Sequence, residues 1–250
     1  IYNMSPWSKI ILQCIAISII LFSTDLTLTN LHGFLGIHEL PLLLAYPLTL
    51  FIGVFMINSF NLIDGVDGLS GIMGIFMLTC FGIIFYILDD LFLVYSIAIL
   101  IGTISGYLRF NMSSKLRVFM GDTGSLILGF FIFFYLLQLI NSDEIEKIGS
   151  FAEAEMSIWL GLLIFLHPIL DSGSVFLSRI SKGKSPFSPD NTHIHHLILQ
   201  RVDSHIAVSM IILTYSVISM TINGLAIYFF THIYSFTILN LKTHQSCMVG

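Results

Sequence analysis

The chain has 250 residues, of which 56% are hydrophobic and only 10% charged, with a mean hydropathy of +0.92. A soluble domain carries about 25% charged residues, and a core of this length cannot absorb so much apolar surface, which argues against a large soluble α-protein and for helices in a membrane. The formal charge of −5 says little about partners, because its distribution across a bilayer matters more than its sum.

Taken in chain order, the apolar runs predict spans over residues 10–24, 42–60, 69–88, 91–108, 123–140, 157–178, 206–222 and 225–241. A crossing needs about 20 residues, or about 17 at the short end, so the first span borrows flanking residues. The last two share one long run interrupted at Asn223-Gly224, which makes that boundary soft. The fold class is therefore all-α, a polytopic integral membrane protein with about eight transmembrane helices in a single domain over residues 1–250. Cys14, Cys80 and Cys247 are far apart and form no Cys-x-x-Cys pair, so no disulfide framework or thiolate metal site is expected. The chain starts at Ile1 without Met, which suggests a fragment.

The positive-inside rule orients the spans. With Lys9 on the cytoplasmic side, alternation places Arg109, Lys115, Arg117, Arg179, Lys182, Lys184, Arg201 and Lys242 on that side, and only Lys147 outside. The same alternation brings three polar segments to the cytoplasmic face: NLIDGVDGLSG (61–71), the loop ending in VFMGDTGS (118–125), and KGKSPFSPDNTHIHH (182–196). Transporters tend to keep charges near the midplane, whereas here acids and histidines cluster at span ends, which favours chemistry at the interface.

In the first segment Asp64 and Asp67 are three residues apart and would share a face on a helical turn, with Asn61 one turn earlier. Gly65, Gly68 and Gly71 let backbone come close to a ligand. Hard cations such as Mg2+ take carboxylate oxygens together with substrate phosphates and water; an Asp-Gly turn between two helices explains the spacing equally well. In the second segment Asp122 stands at a helix start, as a metal ligand or an ordinary cap, and Phe119 is placed to stack on a flat base. Arg109, Lys115 and Arg117 suit phosphate contact or simply a positive-inside loop. In the third, His193 and His195 align if the chain is extended, and His193 and His196 if it is helical. No cysteine or His-Glu-x-x-His pattern supports zinc, so histidines facing a diphosphate are favoured over it, beside the plainer reading of an amphipathic interface segment. Asp171, inside a span, is a candidate for the same site or for a buried hydrogen bond, and His167 one turn deeper is read as structural. Asp89-Asp90 is read as a solvated turn on the opposite side.

Together these segments resemble the polyprenyl-phosphate N-acetylhexosamine-1-phosphate transferases, which include undecaprenyl-phosphate N-acetylglucosaminyl-1-phosphate transferases and phospho-N-acetylmuramoyl-pentapeptide transferase. NLIDGVDGLSG is similar to the family's Asn-x-x-Asp-Gly-x-Asp-Gly-Leu signature, FMGDTGSLILGF to its Gly-Asp-x-Gly-Ser motif, and FSPDNTHIHH to its Asp-Arg-x-His-x-His-His motif. Asn191 stands where that last motif usually has Arg. The family's Asp-Asp pair is absent, and IYNMSPWSKIILQ is similar to the sequence that follows it, so the resemblance implies about three further spans upstream and about eleven in all.

The resemblance implies transfer of N-acetylhexosamine-1-phosphate, in the N-acetylglucosamine form, from a UDP-N-acetylhexosamine to undecaprenyl phosphate, with release of UMP, in a bacterial inner membrane with the site facing the cytoplasm. The alternatives are phospho-N-acetylmuramoyl-pentapeptide transfer, a catalytically impaired lipid-binding or transport protein, and a hydrolase of lipid diphosphates. The implied cofactor is Mg2+, with Mn2+ as a substitute, and the implied metal ligands are Asp122 and Asp67. Asp64, Asp67, Asp122, His193, His195 and His196 are the implied catalytic residues. Lys9, Asn61, Phe119, Asp171, Lys182 and Lys184 are the implied substrate contacts. The implied partners are both substrates and the bilayer, with no nucleic acid, and a homodimer is compatible with the resemblance.

Overall fold

A computed structural model describes residues 5–113, 115–142, 144–145, 155–183 and 193–248. Lys147, Lys184 and Asn191 lie outside the described residues. The described residues form helices α1 (Pro6–Thr24), α2 (Leu42–Ile63), α3 (Leu69–Ile87), α4 (Leu91–Asn111), α5 (Gly121–Ile140), α6 (Glu155–Ile164), α7 (Leu166–Ser181), α8 (Ile194–Val202) and α9 (His205–Met248). Among the described residues, six helical segments are long and apolar enough to cross a bilayer, and seven if the bent pair α6–α7 counts as one crossing. The all-α polytopic expectation therefore holds.

Local chemistry sets the ends. Ser5 caps α1 by accepting the Ser8 N–H at 3.1 Å, with Pro6 in the first turn, so this span does extend into its flank as expected. The α3–α4 hairpin turns at Asp89, in the left-handed region at φ 64°, and the Asp90 carboxylate accepts the Leu93 N–H at 3.0 Å. Both aspartates are exposed, in keeping with a solvated turn.

Three expected spans take a different form. Residues 157–178 do not make one straight helix: α6 and α7 meet at a bend of 71°. Pro168 explains it, because it has no N–H to give the carbonyl of Ile164 four residues back, and its ring collides with that carbonyl. Ile164 is where α6 stops. The spans expected at 206–222 and 225–241 are one helix, α9, which runs through Asn223-Gly224 without a break. Asn223 turns its amide back onto the Ser219 carbonyl at 2.8 Å, inside the helix. One mid-helix glycine costs about 1 kcal/mol, too little to end a long apolar helix. Among the described residues six or seven segments are therefore able to cross, where about eight were expected.

The core lies between α2, α3 and α5, with Phe60, Met73, Met77 and Leu137 fully buried. α2 packs antiparallel along α5, and α3 along α4. The Phe81, Phe85 and Tyr135 rings cluster, and the Tyr135 hydroxyl meets Ser96 Oγ at 2.9 Å. The opposite faces of α1, α2 and α4 present Ile15, Phe22, Phe51, Phe92 and Ile99 outward, as lipid-facing surfaces do. This contrast is testable on one helix. Phe60→Ala, at 0% exposure, removes a packed ring and lowers stability by roughly 3–5 kcal/mol. Phe51→Ala, at 68% exposure, costs within about 0.5 kcal/mol in thermal unfolding of the reconstituted protein. A larger loss at Phe51 would reverse the assignment of faces.

Candidate active site

The helix ends gather the polar segments at one end of the bundle. α2 stops at Ile63, and Asp64 follows with a non-helical backbone. Gly68 begins α3 with φ at 80°, a conformation that a side chain would strain. Its N–H is held by Asn111 Oδ1 at 2.6 Å, and the Asn111 amide also donates to the Val118 carbonyl at 2.9 Å. One buried asparagine thus ties the 64–68 turn to the 112–120 segment.

Antiparallel packing brings the end of α2 to the start of α5. The Asn61 amide donates to Ser125 Oγ at 2.6 Å and to Asp122 Oδ1 at 3.4 Å. Lys9, from α1, pairs with Asp122 Oδ2. Asp64 accepts from the Ser70 hydroxyl at 2.5 Å, takes a backbone hydrogen bond from Gly121, and feels the charge of Asp122. Burial is the main influence on Asp64 and raises its pKa above the usual carboxylate value; the Ser70 hydrogen bond opposes this and Asp122 reinforces it.

Asp67 faces another way. It pairs with Arg117, and its Oδ2 lies 2.9 Å from His205 Nδ1 at the start of α9. The Asp67 backbone N–H points at the same nitrogen at 3.1 Å. A cavity of about 230 Å³ opens here, lined by Asp64, Asp67, Asn111, Arg117, Phe119 and His205 among others. Phe119 is 70% exposed, and the Arg117 guanidinium lies 5.6 Å from its ring centroid. The expected Asp64–Asp67 pairing on one helical face is replaced by Asp64 with Asp122, and Asp67 with Arg117 and His205.

The histidines divide by burial. His193 is the extended N-cap of α8, so its ring stacks on His195, with centroids 5.5 Å apart at 14°. His195 in turn meets His196 at 4.3 Å. His193 and His195 are buried and His196 is half-buried, so the outward-facing member of the three is His196. Asp171 is 1% exposed and turned onto His193 at 3.0 Å, which corrects its expected place among direct substrate contacts. The loop touches the histidines through Gly65: a Cβ there would come within 2.7 Å of His195 Nε2 and 3.3 Å of His196 Nε2. Lys182 stands exposed at the C-cap of α7, just before the undescribed stretch that holds Lys184.

The model of Glycosyl transferase family 4 matches residues 1–140, more than half of the chain. The chain belongs to this family. The matched residues contain the 61–71 turn and Asp122, and the histidine segment lies beyond them. The undecaprenyl-phosphate alpha-N-acetylglucosaminyl 1-phosphate transferase of Yersinia pestis is 34% identical over 161 residues, 62% of this chain and 41% of the relative. The protein of that name from Escherichia coli O157:H7 is 32% identical over 180 residues, 70% of this chain and 47% of the relative. That from Salmonella typhi is 30% identical over 203 residues, 80% of this chain and 53% of the relative. The chain spans about half the length of the curated relatives it matches.

The donor set at Asp64 and Asp122 fits a hard cation. Two carboxylates oppose each other's charge at one helix junction, and carboxylate oxygens flanked by amide and hydroxyl are the ligands such ions take. Among the described residues no group of three or more His, Cys, Asp or Glu is arranged to hold a metal. Sequence reasoning missed His205, Ser70 and Asn111. Ser70 lay within the quoted turn segment, but His205 and Asn111 reach it only through folding, from 138 and 43 residues away.

Burial, with neighbouring His196 adding to it, pushes His195 down to about 4. The unfolded chain therefore binds a proton near pH 6.5 that the folded chain refuses until about pH 4. Stability conferred by the neutral ring is complete above pH 6.5 and declines on acidification towards 4, by at most about 1.4 kcal/mol per pH unit. Thermal unfolding followed between pH 7 and 4 should show this slope, and His195→Gln should flatten it; equal slopes would refute a neutral buried His195.

Proposed function

We propose that this family member transfers N-acetylglucosamine-1-phosphate from UDP-N-acetylglucosamine to undecaprenyl phosphate and releases UMP, at the cytoplasmic face of a bacterial inner membrane. The observation that carries the reading is the convergence of Asp64, Asp122, Arg117, Phe119 and His196 at one end of a membrane bundle. Relatives bearing the name of that activity support it.

The chemistry follows from charge. A lipid phosphate oxygen attacks the β-phosphorus of the donor, a new P–O bond forms, and the bond to the UMP oxygen breaks. A phosphate monoester has a second pKa near about 6, so the lipid phosphate is largely dianionic at neutral pH and needs no strong base. Phosphoryl transfer then depends on positioning and on neutralising the diphosphate. Asp122 and Asp64 would hold Mg2+, which when bound neutralises phosphate charge and the mutual repulsion of these carboxylates. Phe119 offers its exposed ring to the uracil, and Arg117 beside it offers charge to a phosphate. Asp67 holds Arg117 and His205 in place. His196 and Lys9, whose ammonium already lies beside Asp122, would meet the diphosphate or the sugar.

Asp122→Asn keeps the hydrogen bond from Asn61 but removes the charge. In the full chain it should lower Mg2+-dependent UMP release by at least about a hundredfold, the scale on which a single charge-stabilising group acts. Full activity would refute the metal role of Asp122, and release of inorganic phosphate in place of UMP would point to hydrolysis of a lipid diphosphate.

A further inference from the structure

Asp171 is a carboxylate placed in the middle of α7, in the segment read as crossing the membrane, and 1% exposed. Such a group is costly unless its oxygens are matched. Both are matched, and by one short stretch of chain: Oδ2 accepts from His193 Nδ1 at 3.0 Å, and Oδ1 accepts from the Ile194 backbone N–H at 2.9 Å. Ile194 is the first residue of α8, so its N–H is among those a helix cannot satisfy internally. His193, the N-cap residue, makes no side-chain capping bond. Asp171 therefore caps α8 from a different helix and grips its N-cap histidine at the same time.

The grip has a chemical consequence. A carboxylate only accepts, so His193 must carry its hydrogen on Nδ1. His195 Nδ1 lies 3.8 Å from the same Oδ2. His193 Nε2 and both His195 ring nitrogens are buried with no hydrogen-bond partner among the described residues. Imidazoles left unmatched in this way would turn towards water unless something held them. The stack holds them: His193 lies against His195, His195 against His196, and both of the latter rest on the backbone at Gly65.

We propose that Asp171 is a positioning residue that fixes the His193 tautomer and, through the stacked His195, sets His196 against the Gly65 turn where the donor diphosphate is held. This rests on the transferase reading for the role of His196; the clamp itself is a matter of proton location. Asp171 acts at a distance and touches neither substrate.

The test uses the full chain in lipid nanodiscs, with UMP release from UDP-N-acetylglucosamine for kcat and KM, and imidazole 15N spectra of histidine-labelled protein. Asp171→Asn leaves one oxygen for the Ile194 N–H and presents an N–H to His193, which reverses the tautomer. The expected result is a kcat lower by roughly ten- to hundredfold, as for a small misplacement of a binding group, with KM changed by less than about threefold and the melting temperature retained. The His193 Nδ1 signal should move from the protonated to the unprotonated position. A wild-type kcat, or a His193 Nδ1 that stays protonated, overturns the proposal. If Asp171→Asn does not fold, His193→Leu removes the donor while the carboxylate keeps its bond to Ile194. That variant should shift the His196 signals and lower kcat, and unshifted His196 signals overturn the proposal. If the unmodified chain releases no UMP, the transferase reading fails, and the tautomer still decides the clamp.

Discussion

The site depends on one unfavourable juxtaposition: Asp64 and Asp122 brought together where α2 ends and α5 begins. Like charges in a partly desolvated place disfavour one another. The neighbours offset this. Ser70 and Gly121 donate to Asp64, Asn61 donates to Asp122, and Lys9 pairs with Asp122. The α2–α5 seam enforces the meeting, because Gly129 lies against Ile57 and Phe60 and lets the two backbones run close. Apolar packing along the seam thus holds in place a charge arrangement that would otherwise spring apart.

The two aspartates of the 61–71 turn carry different burdens. Three-residue spacing suggests a shared helical face. That face does not exist, because the helix stops at Ile63 and does not resume until Leu69. In the intervening turn Asp64 points to α5, and Asp67 points to Arg117 and to the start of α9. One anchors the acidic pair, and the other anchors the basic side of the cavity. A substitution at Asp67 would therefore loosen a cation as well as remove an anion.

How much could be read in advance follows the range of each interaction. Apolar runs at or near bilayer length reported α2, α3, α4 and α5 correctly, because the hydrophobic length requirement is local and strong. Pro168 was visible, but residues 157–178 read as one span; the missing N–H that bends the chain beside Ile164 was not weighed against the apolar run. Asn223-Gly224 misled, because a weak local penalty was set against a long apolar helix. The alternation of polar segments across the membrane found the shared face, since charge asymmetry is a property of whole loops. Which histidine faces outward was not legible: it depends on His193 adopting the extended N-cap conformation and on a carboxylate 22 residues earlier. The partnership of Asp67 with His205 was equally hidden, as a contact across 138 residues.

The acidic pair also bears on the order of events in the proposed reaction. Two carboxylates supply only part of the six-ligand shell that Mg2+ demands, and the remaining oxygens come from water or phosphate. A donor diphosphate that enters beside Arg117 and His196 brings such oxygens with it. Cation and donor then each strengthen the binding of the other by the same factor, since linkage between two ligands is reciprocal. Lys9 fits this account, because its ammonium rests on Asp122 where positive charge is needed. Burial of Asp64 sharpens the coupling: its raised pKa means that ionisation is favoured most when a cation is beside it. On the proposed function, a site built in this way would bind a cation weakly without the nucleotide and firmly with it.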